Sequence, residues 1–452
     1  MDKDRSRIGK NILIVLINAL VFLSTAFYNK FPLLDWDSGT YILSGYNGVI
    51  PWDRPILYGL LLRLFSFGIS LWCVVFIQAI LLSYLLLELI KKLTSVYPHY
   101  LSLVIVLVLN ISTSVGIHAG FIMADITTAL SFLLVLLLLL ESNRTKVVLY
   151  SIGLIAMLPG HLSNVYSVLV FVILVAILKG LRFFKTISWT SILRIPMTLA
   201  ISVFFLTSIN FLFSGEVYIS KASHVFFMGR LSENGILKSF LDKNCDTQKY
   251  KICKYKDSLP DQAVDFLFLP NSPLNQEGGW AKNKVEYSDI IKKTFQDKDL
   301  LMLHMKSSSS ATLKQFFEIK IPDGYPSCDE GSPPFEVIKM YLPFELNGVR
   351  ESVQYSGKLS FVRFNMLHQI MFVLSLVLVV FYLGQSMIKG KIDALFYVAC
   401  FVLLLLLSNA FVCGTFANVV SRLQNRISWM LVFVASMVVY SWGTKLYWKA
   451  AE

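Results

Sequence analysis

The feature of this sequence that most restricts its fold is a series of apolar runs separated by short polar loops. Several runs hold about 20 residues, the length that a helix needs to cross a hydrocarbon core of roughly 30 Å. Because lipid offers the backbone no hydrogen-bond partners, such a run must form a helix. With 55% hydrophobic and only 15% charged residues, the sequence predicts an all-α polytopic membrane protein.

Ten runs are predicted to span the membrane, and the loop at 29–68 is predicted to carry one or two helices lying along the surface. The predicted spans are 11–28, 69–90, 101–115, 125–140, 147–158, 162–178, 195–213, 371–387, 394–411 and 427–442. The fifth span is short and ends at Pro159-Gly160. We therefore expect it either to stop short of a full crossing or to be buried in protein.

Lysine and arginine are concentrated at alternate ends of the spans, which sets their orientation. Basic residues precede the first span and follow the last one, so both termini are predicted to be cytoplasmic. The first run has no small-residue cleavage site and is predicted to remain as a helix. The formal charge of +12 therefore reflects topology rather than a nucleic-acid partner, and the predicted location is a bacterial inner membrane.

Residues 214–365 differ in composition and are rich in Lys, Asp, Ser and Pro. They are predicted to form an extracytoplasmic soluble domain of mixed secondary structure, between an N-terminal membrane module, 1–213, and C-terminal membrane helices, 366–452. Cys245 and Cys253 lie eight residues apart in this domain. Because an oxidising compartment permits disulfides, these two cysteines are predicted to be paired.

Two carboxylates, Asp35 and Asp37, follow the first span in a stretch that continues to Tyr41, which we include among the substrate contacts. Like charges this close repel each other, and such pairs at a membrane surface usually bind a cation or handle a proton. In an extended loop both would face one divalent cation, Mg or Mn, or one sugar hydroxyl. The alternative is a solvated loop or a helix N-cap formed by Asp37 or Ser38.

A second signal is Arg422 and Arg426, which lie four residues apart in an outer loop. The other short outer loops are poor in basic residues. One guanidinium group can donate two hydrogen bonds to two oxygens of one phosphate, so a lipid phosphate at the membrane surface would suit these arginines. The alternative is pairing with acidic residues of the outer domain or with lipid headgroups.

Asp125 stands at the outward start of an otherwise apolar span. An ionisable group at this place is a functional candidate, although an N-cap explains it almost as well. His118 and His161 lie near helix ends, where a lone histidine serves either as a hydrogen-bonded structural residue or as a ligand or base.

Two further arginines lie on the outer side. Arg54 would reach an anionic donor or extend along the surface into water. Arg230 and Glu233, in the outer domain, are predicted to line a groove for the acceptor, with Trp280 either packing on a sugar ring or filling a core.

This layout resembles the GT-C class of integral membrane glycosyltransferases, which use polyprenyl-phosphate sugars. The resemblance rests on the Asp35-Trp36-Asp37 triplet in the first outer loop, Arg54-Pro55 in the surface helices, Asp125 after the third span, the large outer domain, and Arg422 and Arg426 in a late outer loop. It implies that Asp35 or Asp37 is the catalytic base or contacts a metal. It also implies that Arg422 and Arg426 hold the lipid-linked phosphate. A WWDYG motif, typical of oligosaccharyltransferases, is missing.

The first hypothesis is therefore transfer of a sugar from a polyprenyl-phosphate carrier to an envelope glycan, lipid or protein, in contact with membrane lipids. The second is a transporter or flippase for a lipid-linked anion, in which Asp125 and the histidines relay protons. A third is an acyl- or phosphotransferase that uses His161 with Ser163. The sequence has no Walker A, GxSxG, HExxH or GxGxxG pattern, which argues against nucleotide hydrolysis, serine hydrolases and zinc proteases.

Overall fold

The computed structural model describes residues 2–94, 96–326 and 328–451, with side chains described from residue 8 to residue 444. The chain is 75% helical, and the described residues form no strand. A single parallel bridge joins Leu33 to Phe121. The predicted all-α class is confirmed in this respect.

The described residues form 22 α-helices, joined by loops and four 3₁₀ turns. The first half contains α1 (Asp2–Phe22), α2 (Ser24–Asn29), α3 (Trp36–Asn47), α4 (Leu57–Ser66), α5 (Leu71–Leu93), α6 (Pro98–Ser112), α7 (Val115–Ala119), α8 (Asp125–Leu140), α9 (Arg144–Met157), α10 (Leu162–Gly180) and α11 (Trp189–Ser214). The second half contains α12 (Ser223–Glu233), α13 (Ile236–Asn244), α14 (Ala263–Phe268), α15 (Pro273–Gln276), α16 (Lys284–Gln296), α17 (Lys298–Phe317), α18 (Pro333–Tyr341), α19 (Leu346–Arg350), α20 (Val362–Ile388), α21 (Ala394–Phe416) and α22 (Arg422–Ala451).

Six of the described helices are long and apolar enough to cross a membrane, namely α5, α10, α11, α20, α21 and residues Arg422–Thr444 of α22. The chain is therefore a multi-pass membrane protein. The other four predicted spans correspond to α1, α6, α8 and α9, whose apolar stretches are shorter.

Helix α8 is the central element of the membrane half. Every side chain from Asp125 to Leu139 is buried, and the helix packs against α5, α9, α10, α11, α21 and α22. A helix that is apolar on all sides is stable when lipid or other parts of the protein surround it, and here neighbouring helices do so. Its 16 residues therefore end inside protein, and this burial places Asp125 within the molecule.

Helix α9, the short fifth span, ends early at the 3₁₀ turn Leu158–Gly160. It exposes Val148, Leu149 and Ile152 on one side. Of the two outcomes expected for this span, full burial in protein is wrong, because one side of α9 is exposed; the fully buried helix is its neighbour α8.

The polar segment, residues 214–365, is helical rather than mixed in its described residues. It has two packing regions: α12 to α16 and the start of α17 surround a separate apolar core, which includes Leu237, Phe240, Phe266 and Tyr287. The part after residue 319 packs instead on the membrane half, where α18 lies against α3. Composition predicted the segment's polarity but not its secondary structure, because polar helices and polar loops use similar residues.

The predicted cysteine pair lies in the first of these two regions. Cys245 and Cys253 are joined by a disulfide that links the end of α13 to the following 3₁₀ turn. Cys328, the third cysteine of the polar segment, is free and buried.

Candidate functional site

Asp35 and Asp37 lie at the N-terminus of α3. Asp35 is the N-cap: its carboxylate accepts a hydrogen bond from the backbone N–H of Trp36 at 2.6 Å, and Ser38 Oγ accepts one from Asp35 N at 2.9 Å. Asp37 stands in the first helical turn. The expectation of an extended loop is wrong here, and the N-cap is Asp35 rather than Asp37 or Ser38. Both negative charges are favourable at the positive end of the helix.

The residues before α3 are fixed by a distant side chain. Gln354 Oε1 accepts a hydrogen bond from Leu34 N at 3.1 Å, and Gln354 Nε2 donates one to Leu34 O at 2.6 Å. Leu33 is paired with Phe121 in the parallel bridge. Asp35 is therefore held by a clamp from the end of the polar segment.

Arg422 and Arg426 are in the first two turns of α22, and their partners are the predicted acidic residues of the N-terminal half. Arg422 Nη2 lies 2.9 Å from Asp37 Oδ2. Arg422 also lies 3.8 Å from both Asp35 Oδ2 and Asp125 Oδ2. Arg426 Nη1 lies 3.0 Å from Asp125 Oδ1. We call these five residues the charge cluster.

The charge cluster has a buried part and an accessible part. Asp125 is 2% exposed and Arg426 is 0% exposed, whereas Arg422, Asp35 and Asp37 are 25%, 19% and 26% exposed. Arginines at the positive end of a helix are unfavourable unless carboxylates offset them, and Asp125 does so here. The structure therefore separates the predicted arginine pair, since only Arg422 is accessible to a ligand.

Arg54 joins the accessible part from the loop before α4. Its Nη2 lies 2.9 Å from Asp37 Oδ1, and it also pairs closely with Asp53. Its guanidinium stands 5.1 Å from the ring centre of Tyr41, a cation–π distance. Arg54 is thus a member of the site rather than a side chain extended into water, and Tyr41 supports it from the buried side of α3.

His161 and His118 occupy different places. His161 caps α10, with Nδ1 2.8 Å from Ser163 Oγ, and Ser163 Oγ in turn accepts a hydrogen bond from Arg426 Nη2 at 2.8 Å. His118 is buried, with Nε2 2.7 Å from Asn425 Oδ1. His161 therefore contacts the charge cluster through Ser163, while His118 fastens α7 to the start of α22.

The surroundings separate the pKa values of the two accessible carboxylates. Burial raises the pKa of Asp35, Arg422 offsets this only in part, and the charge of Asp37 adds to the rise. Burial also acts to raise the pKa of Asp37, but Arg422 and Arg54 outweigh it, so that pKa is lowered. Pairs of carboxylates set apart in this way often divide the acid and base roles of a site.

No cluster of three or more His, Cys, Asp or Glu side chains able to hold a metal occurs within residues 2–94, 96–326 and 328–451. The positive charge that faces Asp35 and Asp37 comes from Arg422, and Arg54 supplies more to Asp37. A divalent cation at this place would be repelled by both guanidinium groups. At the place predicted for the cation, arginine side chains therefore already offset the charge of the carboxylates.

Arg230 is not part of the charge cluster. It is 2% exposed on α12, with Nη1 2.7 Å from Glu233 Oε1. The predicted groove partner Trp280 packs edge-on against Phe226 at the border of the α12 to α16 core. Arg230 and Glu233 instead line a separate cavity beside α17.

Three contributors to the site were not predicted from the sequence. Asp53 pairs with Arg54, and Asn409 of α21 accepts a hydrogen bond from Arg426 Nη2 at 3.3 Å. The third is Gln354. The signal available for Asn409 was an amide in the middle of an apolar run, where polar side chains are costly without a partner.

Comparisons with known proteins assign this chain to no family. A scan against family models and searches of curated proteins and of solved structures find no match. Function is therefore inferred from the chain's own residues.

Proposed function

We propose that the protein is a membrane glycosyltransferase that moves one sugar from a polyprenyl-phosphate carrier to a glycan, lipid or protein acceptor. The observation that carries this proposal is the accessible part of the charge cluster, in which Arg422 lies between two carboxylates with different pKa values. By the positive-inside rule this face is extracytoplasmic and both termini are cytoplasmic. With the four shorter helices, the protein would have the ten spans of the GT-C-like layout.

The carboxylate of Asp35 is the proposed base. Its pKa is raised, and among the described residues its one ion-pair partner is Arg422 at 3.8 Å, so it is the freer of the two carboxylates to accept a proton. The acceptor hydroxyl gives its proton to Asp35 as its oxygen bonds to the anomeric carbon. The bond from that carbon to the phosphate oxygen breaks, the electron pair leaves with the phosphate, and the configuration inverts.

Arg422 is the proposed phosphate contact, because it is the accessible arginine of α22 and charge develops on the departing phosphate. The exposed part of the Arg422 guanidinium, in a side chain that is 25% exposed, is the part that a phosphate oxygen can contact. Since phosphate is a good leaving group, this step requires no general acid.

Asp37 and the Asp125–Arg426 pair have positioning roles in this proposal. Asp37 lies 2.9 Å from both Arg422 and Arg54 and so holds the two guanidinium groups side by side. Asp125 is fixed by Arg426 and faces Nε of Arg422 from the buried side of the charge cluster. Because arginine supplies the positive charge, we propose a reaction that needs no divalent cation.

The proposal is tested by mass spectrometry of surface glycans and polyprenyl-linked sugars from cells that produce the wild type, Asp35→Asn or Arg422→Gln at equal protein levels. Each variant should reduce transfer by about 100-fold or more. A glycan would then lack one sugar mass while the lipid-linked sugar accumulates.

The matched control is Asp246→Asn, an exposed carboxylate outside the site, which should behave as the wild type. Transfer in wild-type membranes should also persist in EDTA. Unchanged glycan masses with folded Asp35→Asn protein would refute the proposal. Movement of a lipid-linked anion without a new covalent product would favour the flippase hypothesis instead.

A further inference from the structure

A cavity of about 590 Å³ reaches the loop that precedes Arg422 of the charge cluster. It is an open cavity lined by α12, the start of α14, α17 and the loop between α21 and α22. Cavities of this size accommodate small organic ligands. The polar side chains that line it include Arg230, Glu233, Lys306, Ser310, Lys314 and Asn418.

Arg230 is the buried cation of this cavity. It is 2% exposed, and its single ion-pair partner in the described part of the chain is Glu233. Glu233 is shared, because its Oε2 accepts a hydrogen bond from Ala263 N at 3.0 Å. Nε of Arg230 has no hydrogen-bond partner in the described residues. A guanidinium has five N–H donors, and a buried donor without an acceptor costs free energy that a ligand can recover.

Two lysines of α17 add to this charge. Lys306 and Lys314 are exposed and eight residues apart, about two helical turns, so both lie on the face of α17 that lines the cavity. Neither makes an ion pair with a described residue. The lining thus holds three cations, Arg230, Lys306 and Lys314, against one carboxylate, Glu233. This balance favours a negatively charged ligand.

The other polar groups of the lining are hydroxyls and amides. Ser307, Ser310, Asn234, Gln262 and Asn418 offer both donors and acceptors. A small anion would use few of these groups, whereas sugar hydroxyls would use many. The lining therefore matches a ligand that combines hydroxyl groups with an acidic group.

The cavity and the charge cluster are joined by one loop. Asn418 and Val419 line the cavity, and Arg422 follows three residues later at the start of α22. Three residues span at most about 11 Å. Gln315 of α17 fixes this loop, since it both donates to Val420 O and accepts from Val420 N at 2.9 Å.

We propose that this cavity binds the acceptor and that the acceptor is an acidic oligosaccharide, carrying a carboxylate or a phosphate. This proposal rests on the proposed function, because it assigns the second substrate of the same reaction. Arg230 and the two lysines bind the acidic group, and the serines and amides bind hydroxyls. A sugar held here lies within reach of Arg422 through the shared loop.

The experiment measures binding by isothermal titration calorimetry to the full chain purified in detergent, with three probes. The probes are trigalacturonic acid, phosphorylated maltotriose and neutral maltotriose. The two acidic probes should bind more tightly than the neutral one, and the tighter of the two identifies the acidic group. Equal binding of neutral and acidic probes, or no binding of any probe, would overturn the proposal.

The decisive variant is the double substitution Lys306→Gln and Lys314→Gln, which leaves the core untouched because both side chains are exposed. It should weaken binding of the acidic probe by about tenfold. The double substitution Lys249→Gln and Lys298→Gln removes the same charge from exposed positions outside the lining and should leave binding unchanged. Equal effects of the two pairs would overturn the site assignment.

The experiments distinguish a failure of the acceptor proposal from a failure of the glycosyltransferase proposal. Asp35→Asn should bind the acidic probe normally while it fails to transfer. If transfer proceeds in the wild type but the probe binds no better than neutral sugar, the acceptor assignment is wrong and the glycosyltransferase proposal stands. If the probe binds and no transfer occurs in any assay, the glycosyltransferase proposal is wrong and the cavity remains an acidic-saccharide site.

Discussion

The buried pair of Asp125 and Arg426 gives the sharpest energetic prediction. Asp125→Asn removes the carboxylate and leaves a fully buried guanidinium with only neutral partners, Ser163 and Asn409. Arg426→Gln leaves Asp125 with Arg422 at 3.8 Å as its nearest cation. Removing one partner of a buried ion pair typically costs about 3–5 kcal/mol, and we expect about 3 kcal/mol or more for each single variant.

The double variant, Asp125→Asn with Arg426→Gln, should be much less destabilised than the sum of the two. Both residues are then neutral amides that can bond to each other, so no charge is left buried. We expect a coupling free energy of about 2–3 kcal/mol, which corresponds to roughly a 30- to 150-fold change in the unfolding equilibrium.

The assay is reversible unfolding in mixed micelles with a rising fraction of denaturing detergent, followed by tryptophan fluorescence. Trp429 is a suitable reporter because it is buried and its Nε1 donates to Arg426 O at 3.1 Å. The control cycle uses Lys238 and Asp242, an exposed pair at 3.1 Å in which Lys238 also contacts Asp257 at 3.0 Å, so its coupling should be much smaller than that of the buried pair. Additive effects at Asp125 and Arg426, with coupling no larger than the control, would refute this account of the buried pair.

Two further predictions concern α3, one at its start and one near its end. Transfer needs ionised Asp35, so its rate should fall as pH drops through the raised pKa of Asp35. Asp37→Asn removes a negative charge and frees Arg422, so the fall in rate should move to lower pH. A shift to higher pH in the pH–rate profile would contradict this. Gly45→Ala should lower the free energy of unfolding by about 1–3 kcal/mol or more, since its Cβ would lie 2.2 Å from Gly59 O, where α3 crosses α4. Gly180→Ala, which meets no atom within 4 Å, is the control, and equal melting temperatures for the two variants would contradict the close crossing.

The helices were largely predictable because the signal for them is local. The run that starts at Asp125 was predicted with the bounds that the structure gives, since no other charged residue occurs in it up to Leu140. The last helix starts at Arg422 rather than at 427, because Arg422 and Arg426 are neutralised and can be part of the helix. A hydropathy pattern treats both arginines as loop residues.

The partners within the site were not predictable from the sequence. Each of Asp35, Asp37, Asp125, Arg422 and Arg426 was selected by its unusual place relative to the membrane. Their pairing depends on how α3, α8 and α22 pack, and Asp125 and Arg426 are 301 residues apart in the chain. The five residues also differ in burial, and burial decides which of them a ligand can contact. The spacing of apolar residues in the sequence does not reveal the burial of residues beside a helix end.

That separation also determines an order of events during synthesis. Asp125 emerges from the ribosome long before Arg426, and at about 5–20 residues per second the interval is roughly 15–60 s. During that time the acidic end of α8 lacks its permanent counter-charge, in a membrane where an unpaired carboxylate is costly. Assembly around α8 is thus completed only when α22 inserts. A chain truncated before α22 would therefore present an uncompensated acid to the cell's membrane proteases.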